Sequence, residues 1–191
     1  KTFLTMNLAA TIAIKGAKVL VIDGDLRRTS ASEYVSGAQS NLSEYLSGGT
    51  NDINSIITTD TGYENLHAIA VGTPPPNPTE LIGSKHFETL IATMRERYDY
   101  IFIDCPPIDI VADTQILEKY CDRTLFVIRA GLLNREMLEE LQNIYDTKRL
   151  KGLAMILNGT HSSGGRYGYG YGYSYGYGYG YGYGYHYHQK K

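Results

Sequence analysis

The sequence predicts an α/β domain: a doubly wound, mostly parallel sheet with helices on both faces. Two observations carry this. Short apolar runs recur along the chain, at Lys18–Asp23 (KVLVID), Tyr100–Asp104 (YIFID), Thr124–Arg129 (TLFVIR) and Leu153–Leu157 (LAMIL). They are of the kind buried on both faces of a parallel sheet. Helical patterns lie between them, and strands alternating with helices make βαβ units.

The elements follow in order. Thr5–Ile14 places Leu8, Ile12 and flanking alanines at helical spacing, and Gly16 suits the residue that closes that helix. After the KVLVID strand, short helical pieces are expected at Asn41–Leu46 and Asn51–Ile57, then a weaker strand at Leu66–Val71. Gly72–Pro78 (GTPPPNP) holds four of the six prolines and reads as the main internal loop. Longer helical patterns cover Ser84–Tyr98, Thr114–Tyr120 and Asn134–Lys148. The first residue is not Met and the sequence opens abruptly, so a piece of a longer protein is expected.

Two regions are expected, a folded body over 1–161 and a tail over 162–191. The tail carries 11 of the 18 tyrosines and 10 of the 21 glycines, and no aliphatic residue. From Arg166 to His188 Tyr alternates with Gly almost strictly, so nearly every second residue lacks a side chain to pack. Disorder is the expected state, because Gly-rich strands hold register poorly. His186 and His188 lie close to the terminal lysines and read as a solubilising end rather than a metal site.

Charge and cysteine usage exclude several classes. The chain has 18 basic and 20 acidic residues. Three of the basic ones (Arg166, Lys190, Lys191) are in the tail, so the body is acidic and offers no electrostatic grip on nucleic acid. Cys105 and Cys121 lack CxxC spacing and fit a reduced compartment better than a disulfide scaffold or a zinc site. No segment of the sequence approaches the roughly 18 apolar residues of a membrane span, and no signal peptide is expected.

The chemistry-bearing residues gather at element ends. Lys1-Thr2 leads into the first helix, KVLVID ends in Asp23-Gly-Asp25, and YIFID ends in Asp104-Cys-Pro-Pro107. Ligands of open α/β sheets bind at the carboxyl ends of strands. Carboxylates facing a Lys-Thr at a helix start point to Mg²⁺ and nucleotide phosphate: the Lys reaches β/γ-phosphates, the Thr hydroxyl ligates the metal, and a strand-end Asp holds its water shell. Each has a plainer reading. Asp-Gly is an ordinary turn signal, and Arg27 and Arg28 read as surface charge. Arg129 and Asn158 end the last two strands.

These motifs resemble those of the bacterial tyrosine kinases of capsule and exopolysaccharide synthesis, P-loop proteins with deviant Walker motifs. Lys1-Thr2 looks like the end of the family's Walker A loop, whose glycines and preceding strand are absent from this sequence. Val19–Arg28 (VLVIDGDLRR) is similar to its Walker A′ motif and Ile101–Pro107 (IFIDCPP) to its Walker B. Asp113 falls where the family has an Asp after Walker B, and Pro74–Ser84 is similar to a loop typical of it. The tyrosine cluster resembles the family's autophosphorylated tail.

The resemblance implies an ATP- and Mg²⁺-dependent protein-tyrosine kinase that phosphorylates its own tail and regulates polysaccharide polymerisation or export. It implies that Lys1 holds the β/γ-phosphates, Thr2 and Asp104 the metal and its waters, and that Asp25 assists the metal. Asp23 orients or deprotonates the acceptor. Arg129 and Asn158 contact the base or ribose. The implied phosphoacceptors are Tyr167, Tyr169, Tyr171, Tyr173, Tyr175, Tyr177, Tyr179, Tyr181, Tyr183, Tyr185 and Tyr187.

The implied partners are further copies of the chain in a ring, with the tail acting in trans, a membrane co-polymerase or activator domain, fused or separate, and a protein-tyrosine phosphatase. The implied location is the cytoplasmic face of the plasma membrane. Two other readings compete. One is a partitioning or positioning ATPase of the same deviant-Walker group, which has no use for 11 accessible phenols. The other is an inactive interaction module.

Overall fold

The computed structural model describes residues 1–27, 37–107, 111–132 and 136–160. Arg28 and the whole tyrosine tail lie outside them. Residues Lys1–Gly159 form one compact unit. Five strands, β1 (Val19–Asp23), β2 (Leu66–Ile69), β3 (Tyr100–Asp104), β4 (Leu125–Arg129) and β5 (Ala154–Asn158), alternate with helices α1 (Thr2–Ile14), α2 (Leu42–Leu46), α3 (Pro78–Ile82), α4 (Lys85–Arg97), α5 (Val111–Glu118) and α6 (Glu136–Asp146). A short 3-10 helix spans Ile53–Ile56, within the helical piece expected at Asn51–Ile57.

The expected parallel α/β fold is present, and every strand pairing within it is parallel. β1 sits at the centre of a three-stranded sheet of order β2-β1-β3. All five of its residues are buried, as its unbroken apolar run requires. Side chains alternate across a strand, so Leu20 and Ile22 enter one core while Val19 and Val21 enter another.

On the first face α4 presents Phe87, Leu90, Ile91 and Met94, an i, i+3, i+4, i+7 stripe. Ser84 caps that helix by accepting from the Phe87 N–H. On the second face α1 presents Ala9, Ala10 and Ala13. Three alanines bring a helix backbone close to the sheet, and this seats the start of α1 over the carboxyl end of β3. Gly16 closes α1 with φ +93°, a conformation that needs glycine after the Lys15 C-cap.

β4 and β5 form a separate two-stranded sheet. Among the described residues neither β3 nor β4 has a ladder partner on its second side. Periodicity shows that a strand exists and says nothing of its neighbours, so strand order could not be read from it.

One helix was missed. α3 starts inside the segment read as the Pro-rich loop, with Pro78 as its first residue. Proline's fixed φ and absent N–H suit the first position of a helix, and Asn77-Pro78 was that signal.

Candidate active site

Parallel strands end together, and the register of β1 on β3 makes Asp23 and Asp104 direct partners. Asp25 follows two residues later. All three carboxylates are buried, at 0%, 7% and 4% exposure.

A turn holds the first two in place. The Asp23 carboxylate accepts from the Asp25 backbone N–H at 3.1 Å, and Asp25 accepts from the Arg27 N–H at 3.3 Å. Gly24 lies tight against β3: its N–H donates to the Asp104 carbonyl at 2.9 Å, and a Cβ there would meet the Ile103 side chain at 2.8 Å. Glycine is therefore needed at this point for close approach, beyond its role as a turn residue.

α1 meets this cluster from above. The Thr2 hydroxyl donates to Asp104 Oδ2 at 2.5 Å, and the Thr5 hydroxyl reaches Oδ1 at 3.4 Å. Lys1 is exposed at the N-cap, its carbonyl accepting from the Thr5 N–H. Its charge is felt at the neighbouring Cys105 thiol. That thiol is nonetheless pushed up to about 12, chiefly by burial, with Cys121 and Asp104 adding to the shift. It is therefore protonated at neutral pH and is no nucleophile.

The donor set is hydroxyl and carboxylate oxygen, the hard ligands Mg²⁺ takes. Among the described residues no three His, Cys, Asp or Glu side chains converge as a cage for a metal.

The chain resembles known proteins over this region. A family model described as an AAA domain matches residues 1–151. A tyrosine-protein kinase, CpsD of Streptococcus pneumoniae, is 37% identical over 169 residues, covering 88% of this chain and 74% of that protein. The chain belongs to the bacterial tyrosine-protein kinase family. The solved kinase domain of the Escherichia coli tyrosine kinase ETK superposes with a TM-score of 0.74 at 33% identity, over 90% of this chain and 67% of that one. The septum site-determining protein MinD of Pyrococcus horikoshii, solved with Mg-ADP, superposes at 0.66, over 82% of this chain and 63% of that one. At 22% identity this shows a shared fold alone.

Of the residues singled out from the sequence of this kinase-family member, Asp23, Asp25, Asp104 and Thr2 come together. Lys1 borders them. Arg129 and Asn158 do not join by hydrogen bonds among the described residues. They are register partners at the ends of β4 and β5, both exposed. The Asn158 amide oxygen accepts from the Gly159 N–H at 2.8 Å, leaving its NH₂ as the side-chain donor.

Arg27, read as surface charge, keeps a half-exposed side chain and also pairs across the fold. Its Nε donates to Asp113 Oδ2 at 2.9 Å and its Nη2 to the Thr79 hydroxyl at 2.9 Å. Thr79 in turn donates to Asp113 Oδ1 at 2.6 Å. A buried carboxylate requires partners, and Asp113 is 1% exposed, so Arg27 is its counter-charge.

Thr5, Gly24 and Thr79 were not foreseen. For Thr5 the signal was its position three residues after Thr2, on the same helix face.

Proposed function

We propose that this chain is the catalytic domain of an ATP- and Mg²⁺-dependent protein-tyrosine kinase that phosphorylates the tyrosines of its own tail. The observation that carries the reading is the meeting of Thr2 with Asp104 beside Asp23 and Asp25 at the carboxyl ends of β1 and β3. The kinase relatives and the eleven tail tyrosines Tyr167–Tyr187 support the choice of acceptor.

In this reading Lys1 places its ammonium on the β/γ-phosphates, while Thr2, Asp25 and Asp104 hold the metal and its waters. Bound Mg²⁺ supplies charge neutralisation on the oxygens of the transferring phosphoryl group. Asp23 orients the acceptor phenol or takes its proton. Arg129 and Asn158 contact the base or ribose. What the protein contributes is mainly positioning and electrostatic stabilisation.

The tail is the regulatory element. By composition, a Gly-rich segment of 30 residues reaches about 30 Å, enough to enter a neighbouring copy. Each phosphate adds about 1.5 to 2 negative charges, so multisite modification turns a basic tail strongly anionic and drives copies of a ring apart. The further partners are a membrane polysaccharide co-polymerase or activator, fused or separate, and a phosphatase. The domain works at the cytoplasmic face of the membrane, where it regulates polysaccharide export. Among the described residues no helix is long and apolar enough to cross a membrane.

The test mixes a full-length Asp104→Asn protein carrying the tail with an active tail-less protein, in ATP and Mg²⁺. Mass spectrometry should find phosphate on several of Tyr167–Tyr187, and light scattering should show disassembly, stronger at low salt. ATP hydrolysis with an unmodified tail would replace the kinase with a positioning ATPase.

A further inference from the structure

Three segments far apart in sequence meet at one buried carboxylate. Asp113 lies in the first turn of α5, Thr79 is the second residue of α3, and Arg27 follows the β1 turn. The hydrogen bonds among them close a triangle, since each residue bonds both others: Arg27 to Asp113 and Thr79, and Thr79 to Asp113. Both Asp113 oxygens are engaged, one by each partner.

The triangle continues into the site by one step. The Arg27 backbone N–H donates to the Asp25 carboxylate, while the Asp25 N–H donates to Asp23. The Asp25 carboxylate is thus tied directly to the Arg27 backbone, and the position of Arg27 bears on it. Arg27 has a half-exposed side chain, and its bonds to Asp113 and Thr79 fix the guanidinium at two points. Its fork geometry lets one guanidinium grip two acceptors at a fixed angle.

We propose that Arg27, Thr79 and Asp113 form a clamp that positions the Asp25 carboxylate for metal binding, tying it to the starts of α3 and α5. Arg27, Thr79 and Asp113 are then positioning residues, since none is assigned to the nucleotide or the acceptor. The clamp rests on the kinase reading for Asp25's role, and its own geometry is independent of it.

A clamp makes a distinctive prediction. Releasing it leaves Lys1 and the nucleotide contacts in place and loosens one metal ligand. In the full-length protein Thr79→Val and Asp113→Asn should lower kcat about tenfold or more, since small misplacements of a catalytic group are costly. They should also raise the Mg²⁺ concentration for half-maximal rate several-fold. The dissociation constant of ADP measured in EDTA should stay within about twofold. Calorimetric titration of Mg²⁺ into the ADP complex gives a readout free of turnover and should weaken in step. Thr79→Ser keeps the hydroxyl and should restore both rate and Mg²⁺ affinity.

If Asp113→Asn fails to fold, Thr79→Val against Thr79→Ser still decides the matter. Unchanged Mg²⁺ affinity in folded Thr79→Val overturns the clamp, as does an equal loss in Thr79→Ser. A wild-type protein that hydrolyses ATP without modifying tyrosine sinks the kinase reading alone, because the same Mg²⁺ comparison then runs on hydrolysis.

Discussion

Gly24→Ala is the substitution whose effect can be worked most directly from the structure. The added Cβ would lie 2.8 Å from Ile103 Cγ2, 3.2 Å from the Asp104 carbonyl oxygen and 3.3 Å from Leu117 Cδ1. Leu117 can rotate its far methyl away. Ile103 is β-branched and stiff at χ1, and the Asp104 carbonyl is fixed by the ladder and by the Gly24 N–H itself. The strain must go into parting β1 from β3 at their carboxyl ends. Overpacking of this kind costs about 1–3 kcal/mol. At about 2–4 °C per kcal/mol for a domain of this size, the melting temperature should fall by roughly 2–12 °C. The parting separates Asp23 from Asp104, so kcat should drop more than tenfold. Calorimetry on Gly24→Ala, Ile103→Ala and the double variant isolates the contact. The reasoning expects a favourable coupling of about 1 kcal/mol or more, with kcat partly restored in the double variant. Additive melting shifts, or a Gly24→Ala protein as stable as the wild type, would refute it.

Further outcomes follow from other parts of the molecule. Asp104→Asn should lower tyrosine phosphorylation by orders of magnitude while leaving the fold intact, because the proposed charge-assisted contact to the metal would be lost; retained labelling from radioactive ATP would show the assignment wrong. Phe87→Ala empties the centre of the α4 face, where Phe87 is fully buried, and should cost about 3–5 kcal/mol in denaturant unfolding. Burial alone would raise the Asp113 carboxyl, yet hydrogen bonds from Arg27 and Thr79 and the Arg27 charge outweigh it and hold it below its ordinary value. A depressed folded value stabilises above the unfolded pKa and is lost as pH falls through the folded one. Asp113→Asn should therefore flatten the acid limb of melting temperature below about pH 4; parallel limbs in both proteins would count against the pairing.

What could be read from the sequence divides along a physical line. Strands apolar on both faces declare themselves by composition alone, and β1 and β3 were found within one residue of their ends. Strand-end aspartates could be placed at the site because parallel strands finish on one edge. Contacts set by register or by distant segments could not. Nothing in VLVIDGDLRR shows that Arg27 turns toward a residue 86 positions away, so its charge looked like solvent-facing charge. Gly24 carried an ordinary turn signal, and its second role depends on how closely β3 approaches, which is a packing outcome. The split between the β1–β3 and β4–β5 sheets lies in the same class, since strand order is decided by tertiary pairing.

The role of Asp23 yields a last prediction. With the ordinary solution values of a free carboxylate, about 4, and a free phenol, about 10, full proton transfer costs about 8 kcal/mol. If Asp23 had to ionise the tyrosine before the phosphoryl group moved, that cost would stand in the barrier as about six orders of magnitude in rate. A loose transition state avoids it, because little bond to the nucleophile has formed and the phenol keeps its proton until late. The position of Asp23 suits that late role, since its carboxylate is already engaged by the Asp25 N–H and is fixed by register beside Asp104. Gly-Tyr peptides carrying increasingly fluorinated tyrosine lower the phenol pKa with little change in shape. Late proton transfer predicts a rate that changes only slightly along this series at saturating ATP. Early ionisation predicts a gain approaching tenfold for each pKa unit. The steep series would make Asp23 a true general base, and the shallow one leaves it as the residue that aims the phenol.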